Sequence, residues 1–543
     1  VNLYNGLPHQ HPICGKTAEN CTDGHSDEVW TPLTSVSGKP YAGGTALETG
    51  NFNATEGYKV PAGRYYLSAE LALDKPLLIK NGVYLCLNGQ TLTVKSSNSA
   101  VIIDTGCDLT LCDCSEEQTG KITHANGATG CGVYMGASQI RADLYTGRFT
   151  MYGGSISGNK RESGGAGVYM YYGTFNMYGG SITNNSVTGQ YDAGGGVYVQ
   201  GGMFNMSGNA VISNNNAYGG GGVYVGSSGT FNMSGNAAIA GNTASLNGGG
   251  VYVYSAYDPA TFTMSDNASV SGNNANGNGG GVYVAKGTAT MTVSGSVQIK
   301  DNWKNGTLNT ETGVYENGSA NNLYLFAYET DKVLKTVTIG GDLTGAKIGV
   351  TTRYTPEEKG SILIATGAPT DHAKFFTPDV TGQGYTITQE GEKLYLSAHT
   401  HDWEYSVSAD NQTIIAECKD TTCTSSDGGS VTISKPKHEV YRDGKEATAT
   451  VTQYSWAADT VSEVTYKNYT GDATPLSAAP TDAGKYIASI TAGDKTASVT
   501  YAIAKAIPTA DDFTFTPPTS LTYDGSPKTA TVTSTKIDAS YVK

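Results

Sequence analysis

Five of the eight histidines in this 543-residue chain stand close to cysteine in two short stretches. The first holds His9, His11, Cys14, Cys21 and His25, and the second holds His399, His401, Cys418 and Cys423. Each has a His-x-His and two cysteines, the ligand types of a tetrahedral zinc site, so structural zinc is one expectation for both. Disulfides Cys14–Cys21 and Cys418–Cys423 are the competing one, natural in an exported protein. The other five cysteines, Cys86, Cys107, Cys112, Cys114 and Cys131, lie in strand-like text and read as small buried hydrophobes. His124, the histidine nearest to them, precedes the turn signal Asn126-Gly127 and reads as a turn-flanking residue.

Carboxylates and tyrosines are the other chemistry-bearing groups. Acid–base cleavage of a glycoside needs two carboxyls roughly 5–9.5 Å apart. Asp143, Glu162, Asp192, Asp258, Asp266 and Asp301 are scattered rather than recurrent, and Asp143 and Glu162, near Arg141, Arg148 and Arg161, form the one candidate catalytic neighbourhood. Solvated loop charge is the alternative for both. The tyrosines recur. Tyr134, Tyr169, Tyr198, Tyr224, Tyr252 and Tyr283 each sit between two apolar residues in Val-Tyr-Val or Val-Tyr-Met, and Tyr171, Tyr172, Tyr254 and Tyr257 lie close by. A residue between two inward neighbours on a strand points outward, so these six predict an aromatic row on one face. Such a row can stack on sugar rings or on itself.

What must position these groups is a repeat. The Val-Tyr units are spaced by 35, 29, 26, 28 and 31 residues. Between them recur Phe-x-Met (Phe149/Met151, Phe175/Met177, Phe204/Met206, Phe231/Met233, Phe262/Met264, degenerate at Met291/Val293) and Ile or Val three residues before Asn. The asparagines are Asn159, Asn185, Asn215, Asn242, Asn273 and Asn302. Three short strands cannot close a core alone, but stacked units can, so each unit predicts one coil of a parallel solenoid with Val, Phe, Met and Ile inward. The asparagines fall at a turn, where left-handed backbone is tolerated and one amide can bond the next.

This pattern resembles the right-handed parallel β-helix shared by pectate-lyase-like proteins and many bacterial surface proteins, and the Gly-Gly-x-hydrophobic, Asn-ending repeats of polymorphic outer-membrane adhesins. The resemblance covers roughly residues 60–398 and implies fold rather than activity. Lyase chemistry of that family implies a calcium-binding Asp group and an Arg base, and the coils offer only scattered acids. Further on, Val440-Tyr441-Arg442-Asp443-Gly444, Pro480 to Tyr486 and Val499 to Ile503 resemble the small Ig-like modules of Gram-positive surface proteins. A second Tyr523-Asp524-Gly525 opening has too little sequence after it for a full module.

The expected organisation is an all-β chain: residues 1–60 a Cys/His segment and cap, 61–398 the right-handed β-helix of three-strand coils, 399–435 a small Cys/His element. Residues 436–506 are expected to form an Ig-like β-sandwich module and 507–543 an incomplete second one. A net charge of −14 with no basic stripe argues against nucleic acid, and no run approaches the apolar length of a membrane span. The leading reading is an extracellular bacterial cell-surface adhesin that binds a polysaccharide or host glycoprotein through the tyrosine face or its bordering loops. A carbohydrate-active β-helix enzyme and a structural stalk or spacer are the alternatives. No cofactor beyond structural zinc is implied.

Overall fold

The computed structural model describes residues 30–534 except 116, 137–146, 310–313, 330–333, 357–359, 381–384, 399–401, 420–428, 438–439, 442–446, 455, 457–459, 472–473 and 506–508. Asp143, Arg141, Cys423 and all the histidines and cysteines of the two clusters other than Cys418 lie outside the described residues, as do the zinc and disulfide expectations that rest on them. The described chain falls into two compact units divided at Thr400/His401.

The first unit is a parallel β-solenoid of about nine turns. Its walls are ladders of short strands in register. In one wall Val101–Ile103, Val133–Met135, Val168–Met170, Val197–Val199 and Val223–Val225 follow one another, each paired in parallel with the next. In the second wall Asp108–Cys112, Arg148–Met151, Thr174–Met177, Gly202–Met206 and Gly229–Met233 do the same, and in the third Ser155–Ser157, Ser181–Thr183, Val211–Ser213 and Ala238–Ala240. A fourth ladder of two-residue strands, from Lys160–Arg161 to Trp303–Lys304, follows the asparagine corner. An antiparallel hairpin of Tyr385–Glu390 and Lys393–Ala398 ends the stack. At the other end Thr31–Val36 pairs in parallel with Gly63–Leu67, so residues ahead of position 61 already join the sheet.

Alternation places the core. Val, Phe, Met and Ile of every unit are buried, and the phenylalanines form one column: Phe149, Phe175, Phe204, Phe231 and Phe262 stack with centroids 4.5, 4.7, 4.7 and 4.8 Å apart. That spacing is the distance between hydrogen-bonded strands, so register itself forces the rings face to face. Glycine precedes each Val-Tyr because the coils approach closely there. A Cβ on Gly222 would lie 2.6 Å from the Gly250 carbonyl and 3.1 Å from Asn242 Nδ2.

The repeat asparagines form a second buried column. Each Oδ1 accepts both the backbone N–H and the Nδ2 of the asparagine one coil earlier, at 2.8–3.1 Å, from Asn159 through Asn185, Asn215, Asn242, Asn273 and Asn302 to Asn322. The left-handed turn position expected for these asparagines falls elsewhere. Positive φ belongs to the residue just before each: Gly158, Asn184, Asn214, Gly241, Gly272 and Asp301, at 55–70°. That residue makes the corner, which aims the following asparagine inward and frees its amide for the column.

The second unit is built of small antiparallel sheets. Trp403–Val407, Thr413–Cys418, Ser430–Ser434 and Thr450–Tyr454 form one four-stranded sheet, and Thr465–Asn468, Gly484–Ala492 and Lys495–Lys505 pair in turn, with Val440–Tyr441 on the outer edge. Tyr405, Ile414, Val431 and Ile433 share one hydrophobic core with Tyr466, Ile490, Val499 and Ile503, so strands from 403–434 pack with those from 447–503. Cys418 ends its strand half-buried, opposite Trp403.

Candidate functional site

The six predicted tyrosines, joined by Tyr324, do form an outward row on the Val-Tyr wall. Their rings, however, are occupied by one another. Tyr134, Tyr169, Tyr198 and Tyr224 stack in series at 5.4, 5.1 and 4.7 Å, and Tyr283 stacks on Tyr324 at 5.1 Å. Tyr252 stands edge-on between Tyr224 and Tyr283, at 89° and 88°. Interior ring faces of the stacked run are therefore covered by neighbouring rings, and Tyr283 and Tyr324 are buried. Burial raises the phenols of Tyr169, Tyr198, Tyr224, Tyr283 and Tyr324 above the ordinary range and pushes Tyr252 up to about 12, so all stay neutral hydrogen-bonding groups at physiological pH. The Tyr169 hydroxyl donates to Gln200 Oε1 at 2.5 Å. Tyr171 and Tyr172 meet edge to face at 5.1 Å, Tyr254 lies tilted beside Tyr252 at 6.1 Å, and Tyr257 is exposed.

A cleft of about 400 Å³ opens where the row begins. Its apolar floor is Phe52, Ile102 and Tyr134, with Phe52 edge-on to Tyr134 at 5.8 Å. Neutral polar residues surround it: Asn53 and Thr55 from the hairpin that precedes the first coils, Ser97, Asn98 and Ser99 from the loop before Val101–Ile103, and Thr129 and Gly130 from the next. Arg161, which ends the short strand Lys160–Arg161, and Glu162 and Ser163, which follow it, complete the rim. Two contacts fix Arg161: Nη1 donates to the Gly164 carbonyl at 2.7 Å, and its guanidinium lies 4.7 Å over the Tyr169 ring. The loops are also tied, since Thr129 N–H donates to Ser97 Oγ at 3.4 Å and Gly130 N–H to the Lys160 carbonyl at 2.6 Å.

Of the two predicted catalytic carboxylates, Glu162 lines this cleft, exposed, and Asp143 lies outside the described residues. Glu162 is the one acid among the described lining residues. Of the remaining coil acids, Asp192 stands beside the Glu162 backbone on the next coil, since a Cβ on Gly189 would meet both the Glu162 carbonyl oxygen and Asp192 Oδ2, whereas Asp258 and Asp266 are exposed, Asp266 accepts from Gly235 N–H, and Asp301 pairs with Lys300 at 3.0 Å. Among the described residues no three His, Cys, Asp or Glu side chains come together as a metal site, and no helix is long and apolar enough to cross a membrane.

Two residues with defined roles were not visible in the repeat. His124, read as turn-flanking, is buried and closes one end of the asparagine column: Nδ1 lies 2.7 Å from Asn159 Oδ1 and Nε2 2.6 Å from the Asn98 carbonyl at the cleft wall. Asp379 closes the other end. Its carboxyl accepts from Asn322 N–H and Nδ2 at 2.7 and 2.6 Å and from Thr351 Oγ1 at 2.7 Å, and burial pushes it above the usual carboxylate range against the pull of those donors. Phe52 and Asn53 also escaped notice, because they come from a hairpin outside the repeat. Comparison with known protein families, curated proteins and solved structures finds no match to this chain.

Proposed function

We propose that this is an extracellular bacterial surface protein that binds a polysaccharide or glycoprotein glycan in the Phe52/Tyr134 cleft, without cleaving it, and that its second unit is an Ig-like spacer. The observation that carries the reading is the lining of that cleft. Two aromatic rings lie among amide and hydroxyl side chains with a single, already engaged arginine. Aromatic surface beside neutral donors and acceptors suits sugar rings edged with hydroxyls. Glu162 is the one carboxyl in the described lining, and its neighbour on the next coil, Asp192, lies outside that lining, so the cleft itself holds no carboxyl pair for acid–base cleavage. The reading moves recognition from the flat faces of the tyrosine row, which are spent on stacking, to the loops that border its first member.

A glycan array followed by calorimetry on Phe52→Ala and Asn98→Ala, with a reducing-end and unsaturated-product assay on the same preparation, tests this. Binding weakened about tenfold by Phe52→Ala, with no product formed, is the expected result. Product formation abolished by Glu162→Gln overturns it in favour of an enzyme. No glycan or glycoprotein bound at all leaves the solenoid a spacer.

A further inference from the structure

The first coils carry three thiols together on their outer wall. Val83–Cys86 and Asp108–Cys112 pair in parallel with Cys86 beside Cys112. Leu85 and Leu111 of these strands enter the main core, whereas Cys86 and Cys112 belong to a separate small cluster under Trp30, flanked by Tyr66, Tyr84 and Tyr152. Cys114 joins them from the following turn, half-buried. Its Sγ lies 3.3 Å from Cys86 Sγ and 3.4 Å from Asn88 Oδ1, while the Cys112 thiol is turned towards the Leu85 carbonyl at 3.8 Å. A disulfide needs its sulfurs at about 2.05 Å, so closing Cys86 onto Cys114 asks for roughly 1 Å of movement in two side chains.

We propose that Cys86 and Cys114 are a redox-active pair that closes to a disulfide between neighbouring coils by exchange with a small-molecule disulfide. Cys114 is the thiol that meets the oxidant, because Cys86 is fully buried. Cys114 loses its proton to water and attacks one sulfur of the small disulfide, forming a mixed disulfide and releasing one thiolate, which takes up a proton. Cys86 then gives up its proton and attacks Cys114 Sγ, expelling the second small thiol. Two protein thiols are oxidised by two electrons, and one small disulfide is reduced to two thiols. Burial raises the Cys86 thiol, which makes the second step the slow one. The bond ties residues 28 positions apart across adjacent coils, near the end of the stack where an unpartnered coil opens first.

The test is differential alkylation of the full chain. Protein reduced with dithiothreitol is transferred to oxidised glutathione, denatured, alkylated, reduced, alkylated with a second reagent and mapped by mass spectrometry. First-reagent labelling of Cys86 and Cys114 is expected to fall at least about tenfold, with the two recovered in one cross-linked peptide from a parallel sample mapped without the reduction step. Cys107 and Cys131, whose thiols contact the Thr105 carbonyl and Ser99 Oγ, are expected to stay fully labelled. In Cys114→Ser, Cys86 is expected to remain a thiol. Full labelling of Cys86 and Cys114 after oxidation, linkage of either to Cys112 or another cysteine, or oxidation of Cys86 in Cys114→Ser overturns the proposal.

Discussion

Replacing Asn215 by alanine tests whether the asparagine column holds the coils together. Asn215 is 1% exposed. Its Oδ1 accepts from Asn185 N–H and Nδ2 at 2.9 and 3.0 Å, and its Nδ2 donates to the Ile182 carbonyl at 2.9 Å and Asn242 Oδ1 at 3.0 Å. Truncation does not strip Asn242, which still receives the backbone N–H of residue 215. It does orphan two donors of Asn185, one on the backbone and one on the amide. A buried donor left without a partner costs about 1–3 kcal/mol, so the expected loss is about 2–6 kcal/mol, the lower end applying if water enters the space. Asn209→Ala is the matched control. That side chain is exposed, its bond from Asn236 Nδ2 is 3.3 Å long, and its loss is expected within about 0.5 kcal/mol of zero. Urea unfolding gives the difference. Hydrogen exchange by mass spectrometry gives the location, because in a solenoid the damage falls on adjoining coils first, here on peptides spanning 181–188. Equal urea midpoints for the two variants, with unchanged exchange at Asn185, would show that the column does not hold the coils together.

Three further outcomes follow from the same geometry. Phe204→Ala, which opens a gap between Phe175 and Phe231 in the fully buried column, is expected to cost about 3–5 kcal/mol in urea melts, and Phe204→Leu distinctly less. Asp379→Asn puts an amide donor against either Asn322 Nδ2 or Asn322 N–H, whichever way the amide turns, and is expected to destabilise the chain by about 1–3 kcal/mol in urea melts. A carboxyl raised in the folded state favours folding below its unfolded value of about 3.9 and loses that contribution as pH rises through the folded value, so the melting-temperature deficit of the variant should be widest below about pH 4 and narrow as pH rises. Tyr198→Ala removes stacking on both Tyr169 and Tyr224 and is expected to destabilise by about 1–2 kcal/mol while leaving glycan binding in the Phe52 cleft within about twofold, a pairing that calorimetry and melting check together.

The parts of the fold legible in the sequence are those that repeat. Phe175, Phe204 and Phe231 announce an inward column because identical residues at coil spacing have nowhere else to stack, and the buried run of Asn185, Asn215 and Asn242 follows for the same reason. Legibility ends where repetition ends. Asn322 continues the column only 20 residues after Asn302, and Asp379 lies 57 beyond that, so neither shared the period that exposed the others. Alternation gave the direction of the tyrosines but not the rotation of their rings. The signal was nonetheless present, since like rings on strands about 4.8 Å apart are already at stacking distance. The cleft was out of reach for a different reason: Phe52, Asn98 and Thr129 come from a cap hairpin and two unlike loops, and only their meeting in space makes them a site.

The interchangeability of successive coils has a consequence for how such a chain can change length. The coils from Phe149 to Phe262 offer one another the same inward phenylalanine and the same amide, so excising residues 197–222 would bring Phe175 against Phe231 and Asn185 against Asn242 with nothing left over. Each whole-coil gain or loss alters the rod by one strand spacing of about 4.8 Å while both terminal fittings, His124 and Asp379, stay in place. The solenoid is thus graduated in coils, and duplication or deletion of one graduation is a route by which its length can be reset without redesigning either end.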